Sequence, residues 1–250
     1  MNSKIIKIFI LSICLCFMLS ANANAERPFK TDDPYCVGLF RWETFGGLDI
    51  GTGSWEGIDD RTQVDFYAGG DYGLTDRSEI GISWNLFRVN DPGSEGFGDG
   101  LVHYKHRIAE ATPSWPDMAL DVSLKLPTAS RSEGLGTGKT GFGTALLLGW
   151  KPERWTNTVR LGYYQSAGAN ESARVEFGVA TRYMIGAETE LRGEIYIDGN
   201  EKFGQESRRE VSAGIAFKMF QSTTLDLMLT AGVSTSVPDL GVKAGWRTNL

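Results

Sequence analysis

The chain has 250 residues, 31 of them glycine, and sets 25 Lys and Arg against 31 Asp and Glu for a formal net charge of -6. An acidic chain with no basic cluster makes a poor partner for nucleic acid, and glycines without a three-residue period exclude a collagen-like fold. Only 3 cysteines occur, so a disulfide framework is excluded as well.

Residues 1–25 read as a secretory signal: Lys4 and Lys7 precede an apolar stretch from Ile8 to Leu19, and Ala23-Asn24-Ala25 supplies a small-x-small cleavage site. The stretch is shorter than the roughly 20 residues a spanning helix needs. Loss of Lys4 and Lys7 takes the charge from -6 to -8, and Cys36 is the one cysteine that remains, since the others are Cys14 and Cys16. Residues 26–35 are expected to form a periplasmic N-terminal segment, with the barrel described next occupying 36–250.

From there the pattern is period-2 alternation. In Met118–Leu126, Leu120, Val122 and Leu124 share one face and Asp121, Ser123 and Lys125 the other. Val175–Tyr183, Leu191–Ile197, Val211–Met219, Leu225–Ala231 and Leu240–Trp246 repeat it, and helical spacing is absent. About 12 strands are expected, at 36–50, 60–72, 77–88, 98–109, 117–127, 140–150, 156–167, 172–184, 188–198, 207–219, 222–233 and 239–249. Tight turns at 74–76, 185–187 and 220–221 alternate with longer polar connections at 51–59, 89–97, 128–139 and 199–206. Short turns at one end and long loops at the other are the pattern of a single antiparallel transmembrane β-barrel. Closure is needed because lipid cannot satisfy the backbone groups of an open edge. Trp42, Trp84, Trp150, Trp155, Tyr183 and Trp246 fall near strand ends, as interfacial aromatics do. A soluble secreted β-sandwich that binds a ligand would also alternate, and it is the alternative fold.

The ordered segments Thr31-Asp32-Asp33, YGLTDRSEIGISW at 72–84, GFGDG at 96–100, LKLPT at 124–128 and GLGTGKTGFG at 134–143 resemble outer-membrane barrels of the meta-pathway phenol-degradation family. The resemblance runs over most of the chain. It implies a barrel that passes or binds small, often aromatic or hydrophobic, compounds. Its partners would be outer-membrane lipid, a small-molecule solute and the barrel-assembly machinery, and it would need no cofactor.

Parity along each strand gives the residues expected to line the lumen. The cations are Arg41, Lys105, Arg107, Lys125, Arg160, Arg182, Arg192, Lys218, Lys243 and Arg247, and the anions are Glu43, Asp65, Asp121, Glu176, Glu194 and Asp226. Ten against six leaves four positive charges inside. These charges either pair across strands and fill a narrow barrel or bias a pore toward anions. His103 faces the lumen with Lys105 while His106 faces out, so the two histidines cannot share a metal on one strand, and no metal site is expected. A lipid-modifying enzyme would need a serine and an orienting carboxylate around a histidine. No nucleophile elbow is present, and no catalytic role is expected. Thr31, Asp32 and Asp33 are the candidate plug, entering the lumen or pairing with its arginines.

The stretch EGLGTGKTG at 133–141 looks like a phosphate loop. A Walker loop, however, needs a glycine five residues before its Gly-Lys pair, and Glu133 stands there. The following residues alternate as a strand, so the stretch reads as an outer loop with Lys139 at the mouth.

Overall fold

A computed structural model describes residues 29–167, 173–199, 206–220 and 222–250. The signal segment and residues 26–28 lie outside the described residues. Thirteen strands follow in chain order: β1 Trp42–Trp55, β2 Ile58–Thr75, β3 Ser78–Asp91, β4 Ser94–Gly96, β5 Gly100–Ala109, β6 Asp117–Leu126 and β7 Gly141–Trp150. β8 Trp155–Ser166, β9 Arg174–Met184, β10 Thr189–Asp198, β11 Arg208–Lys218, β12 Thr223–Gly232 and β13 Leu240–Asn249 complete the chain.

Every strand but β4 joins an antiparallel meander, and β1 closes the ring by pairing with β13 from Glu43↔Asn249 to Thr52↔Leu240. Trp42 and Leu250 exchange both backbone hydrogen bonds at the seam, at 3.2 and 2.7 Å. The result is a closed 12-strand antiparallel barrel, with β4 as a short extra strand folded back on β3. No strand of the ring has a free edge, which is the condition for a sheet surrounded by lipid.

Alternation turns large apolar side chains outward. Val175, Leu191, Ile195, Val211, Leu229 and Leu240 are all exposed, and so are Trp42, Trp150 and Trp155 at one rim. There Trp42 packs on Tyr72 and Trp155 on Tyr183, with ring centroids 4.6 and 4.5 Å apart. Among the described residues the buried apolar clusters are small, Phe29 with Ala180 and Met228, and Ala119 with Ala145 and Leu147. The other buried side chains mix charged and small groups with large ones, among them Phe45, Trp55, Leu135, Tyr164 and Tyr196.

Three departures from the sequence reading have physical causes. The first strand begins at Trp42 rather than at residue 36, because the chain turns at Gly38 (φ 92°) and Phe40 (φ 59°) and runs inside the barrel before that point. Residues 51–59 are not a loop. β1 and β2 continue pairing to Trp55↔Ile58 around a Glu56-Gly57 turn, a hairpin rising beyond the apolar belt where polar residues can face water on both sides. In the 89–97 connection, β3 continues to Asp91 and β4 returns along it. The end of β3 also changes phase: Phe66 pairs with Phe87 but Tyr67 with Asn85, so Leu86 is an inserted bulge residue. Loop 128–139 contains no helix, and β7 follows it directly, as expected of a false phosphate loop.

Candidate functional site

The barrel interior is built from one side chain in two on each strand, and cross-strand register brings opposite charges together. Arg160 holds Glu176 with Nε and Nη2, each 3.0 Å from Oε2. Arg88 grips Asp65 in a two-pronged contact of 2.6 and 3.1 Å. Arg192 meets Asp226 at 2.5 Å and Glu190 at 2.9 Å. Lys105 lies 2.8 Å from Glu79, and Arg107 reaches Glu110 at 3.0 Å and Asp117 at 3.9 Å. Lys125 donates to Thr137 of the 128–139 loop at 2.7 Å and lies 3.6 Å from Asp99, which ties that loop down over the mouth. Lys243 lies 3.6 Å from Glu210. Glu43, Asp121 and Arg247 are buried on β1, β6 and β13.

Arg41 is a correction. It precedes β1 and is exposed, so strand parity does not apply to it, and Lys218 at the end of β11 is likewise exposed. The expected positive interior is a second correction. Asp49, Glu56, Asp71, Glu79, Asp117, Glu190, Asp198 and Glu210 also face inward, against Lys30, Arg61, Arg88, Arg174 and Arg208 as further cations among the described residues. The carboxylates offset the surplus, and the interior is a mesh of ion pairs.

The N-terminal segment sits inside this mesh. Phe29, Thr31, Asp33 and Pro34 are buried. The side chain of Asp32 accepts from the Asp33 N–H at 2.8 Å, and the side chain of Asp33 accepts from the Tyr35 N–H at 2.9 Å, an Asx turn that bends the segment. The wall then holds it charge by charge. Thr31 N–H donates to Glu194 at 2.6 Å, Asp32 lies 3.3 Å from Lys105, Asp33 lies 3.4 Å from Arg182, and Val37 N–H donates to Glu79 at 2.7 Å. Wall glycines make room for it. A Cβ on Gly178 would strike the Thr31 hydroxyl, one on Gly73 the Gly38 carbonyl, and one on Gly149 would stand 2.7 Å from Pro34 Cγ. Described residues 29–35 therefore lie within the barrel.

Cys36 packs among these groups. Burial, with the Glu79 carboxylate beside it, pushes its thiol up to about 12. At pH 8 the full-length protein is expected to react with maleimide at least about a hundredfold more slowly than a free cysteine, because the thiolate is the nucleophile. Stopped-flow labelling measures this, and rapid modification would place the segment outside the barrel.

His103 and Asp71 meet above Gly81, with Nε2 and Oδ1 3.2 Å apart. A Cβ on Gly81 would collide with both side chains. With Glu79 they form a trio whose ligating atoms lie within 4.8 Å of one another. Sequence reasoning missed it by testing histidine spacing along one strand, whereas the trio forms across β2, β3 and β5. Both Glu79 oxygens are already engaged, one by Lys105 and one by the Val37 N–H. Ser123 is the cross-strand neighbour of His103 on β6, yet its hydroxyl is directed over Gly143. The pair thus has no serine nucleophile presented to it by that neighbour.

Above the segment, at the end of the barrel carrying the β1–β2 hairpin, lies a cavity of about 430 Å³. Its charged lining is Lys30, Arg61, Arg88, Arg208 and Lys243 against Asp49, Glu56, Asp65 and Glu210, five against four. Trp55 also lines it, but Arg61 already covers that ring, 4.8 Å from the centroid.

No family model and no curated protein matches the chain. Solved structures do. An outer-membrane channel from Pseudomonas putida F1 superposes with a TM-score of 0.70 at 12% identity, over 87% of this chain and 98% of that one. The NanC porin gives 0.57 at 10% identity, over 84% and 100%. The KdgM porin, solved in complex with disordered oligogalacturonate, gives 0.51 at 6% identity, over 83% and 98%. These likenesses establish the fold as that of outer-membrane β-barrels.

Proposed function

We propose that the protein is an outer-membrane channel for small solutes, without catalytic function, in which the N-terminal segment narrows the lumen below a polar entrance cavity. One observation carries this reading: a closed barrel turns large apolar side chains outward and charge inward, and its interior is occupied by a segment held by ion pairs instead of a packed apolar core. Outward apolar faces suit lipid, and inward charge suits water and solute. The channel and porin neighbours support the same reading. The ordered motifs support kinship with the phenol-degradation barrels, whose proposed cargo is aromatic or hydrophobic. The cavity lining favours a polar cargo at the entrance.

The outer-membrane location rests on the fold and on the expected export signal. Lipid and the barrel-assembly machinery are the partners this implies. Extraction and electrophysiology test it. The protein is expected to leave the membrane fraction only in detergent, to change gel mobility on heating, and to give discrete conductance steps in planar bilayers. Recovery in the soluble periplasmic fraction would sink the membrane reading, and silent bilayers with folded protein would sink the channel.

A further inference from the structure

The connection between β12 and β13, residues 233–239, folds back into the mouth of the barrel. Ser236 and Val237 are buried, at 8% and 3% exposed, although they belong to a connection at the end carrying the β1–β2 hairpin. Three glycines shape the wall it lies on. A Cβ on Gly51 of β1 would stand 2.5 Å from Pro238 Cγ, one on Gly53 would strike the Asp239 carboxylate, and one on Gly232 of β12 the Pro238 carbonyl oxygen. Both flanks of the loop are bonded. Ser54 N–H donates to Asp239 Oδ2 at 2.9 Å and Glu56 N–H to the Thr235 carbonyl at 2.8 Å, which joins the loop to the hairpin. On the other flank Thr235 donates its hydroxyl to Glu206 Oε2 at 3.0 Å, Ser236 donates its hydroxyl to the Glu206 carbonyl at 2.8 Å, and Arg209 N–H donates to Ser234 Oγ at 3.1 Å. The hairpin leans the same way. Trp55 near its tip is 4% exposed, and Arg208 of β11 lies 3.8 Å from Glu56, across the two strands that separate β11 from β1.

A connection that only joined two strands would run over the surface, where water satisfies its backbone. Here an apolar side chain and a proline turn inward, and backbone donors of the hairpin hold them there. Ser236, Val237 and Pro238 line the cavity of about 430 Å³, and Lys30 of the N-terminal segment lines it from below. We infer that the 233–239 loop is an inward-folded constriction at the outer mouth, and that Val237 and Pro238 set the size of solute that reaches the cavity. The diameter of such a constriction decides which solutes enter. The N-terminal segment obstructs the barrel up to Lys30, so the loop is a second filter in series with it, met first by a solute arriving from outside. The inference names the size-determining residues of the channel proposed above and rests on that reading for its physiological meaning. A narrow mouth, however, exists whether or not the barrel conducts.

The test uses the full chain in intact cells, with Cys36→Ser and with Lys30→Cys placing a thiol at the cavity floor. N-Ethylmaleimide and fluorescein maleimide, added outside, compare a small with a bulky reagent. Replacing residues 234–238 by Gly-Gly is expected to speed labelling by fluorescein maleimide at least about tenfold and to leave labelling by N-ethylmaleimide within about twofold. Gel mobility after heating reports whether each variant folds. Where the shortened loop does not fold, Val237→Gly with Pro238→Gly removes the two side chains at constant length and takes its place. No gain in fluorescein labelling in a folded loop variant overturns the inference, and so does an equal gain for both reagents. Conductance of the same proteins separates the two readings. A barrel that conducts but whose labelling ignores the loop defeats this inference alone, and one whose loop selects by size in silent bilayers defeats the channel alone.

Discussion

Deleting residues 29–36 is expected to raise single-channel conductance by about an order of magnitude, because a charged lumen conducts once nothing fills it. The segment occupies the interior from Phe29, packed with Ala180 and Met228, to Cys36 beside Glu79. Its removal frees Glu194, Lys105 and Arg182 from the bonds they make to Thr31, Asp32 and Asp33. Water then fills the space. The stability lost per freed charge should stay below the roughly 3–5 kcal/mol that a stranded charge costs in a dry interior. Gly178→Val is the milder form of the same experiment, since a side chain there displaces Thr31 from its notch. Planar-bilayer recordings on heat-modifiable, folded protein measure both. Conductance unchanged by the deletion would mean that ions do not pass where the segment lies.

The second large effect concerns Arg192 and Asp226. They meet at 2.5 Å with both side chains 0% exposed. Asp226→Ala is expected to cost about 3 kcal/mol, the lower end for breaking a buried pair, because Glu190 still neutralises the arginine from 2.9 Å. The double change Arg192→Met with Asp226→Leu is expected to cost less than Asp226→Ala, since it removes the desolvation cost of both charges together and the Glu190 it unpairs is partly exposed, at 22%. Denaturant unfolding in lipid vesicles, followed by tryptophan fluorescence, distinguishes the two. A double variant weaker than the single one would show that the pair contributes more than its desolvation costs.

Much of the barrel could be read from the chain because alternation survives in every strand. The 118–126 stretch puts Leu120, Val122 and Leu124 on one face and Asp121, Ser123 and Lys125 on the other, and the register places those faces outside and inside. Parity failed where geometry breaks the count. The bulge at Leu86 shifts Arg88 onto the inner face, so a strict two-residue period leaves it out. Arg41 kept the parity of Glu43 but lies before the strand begins. Asp49 and Asp71 were passed over because both stand near expected strand ends, and the actual strands run further. The 51–59 stretch was misread because Gly, Ser and Asp form turns in most settings, whereas here they form a paired hairpin beyond the apolar belt. The Asp71–Glu79–His103 trio and the entrance cavity depend on which strands neighbour one another, which spacing along the chain does not encode.

The seam between β1 and β13 also resists a shift of register. Its ten register pairs place Glu43, Asp49, Lys243 and Arg247 on the same face. Sliding either strand by a single residue would rotate its charges from the barrel interior to its apolar outer face. A charge there costs about 2–4 kcal/mol for Lys or Arg at the midplane, so a misaligned closure would carry a penalty from each charge it exposes. The charges that line the barrel interior thus bear on closure as well as on pairing within the interior. They penalise a shifted seam, so the observed register is favoured over its one-residue neighbours.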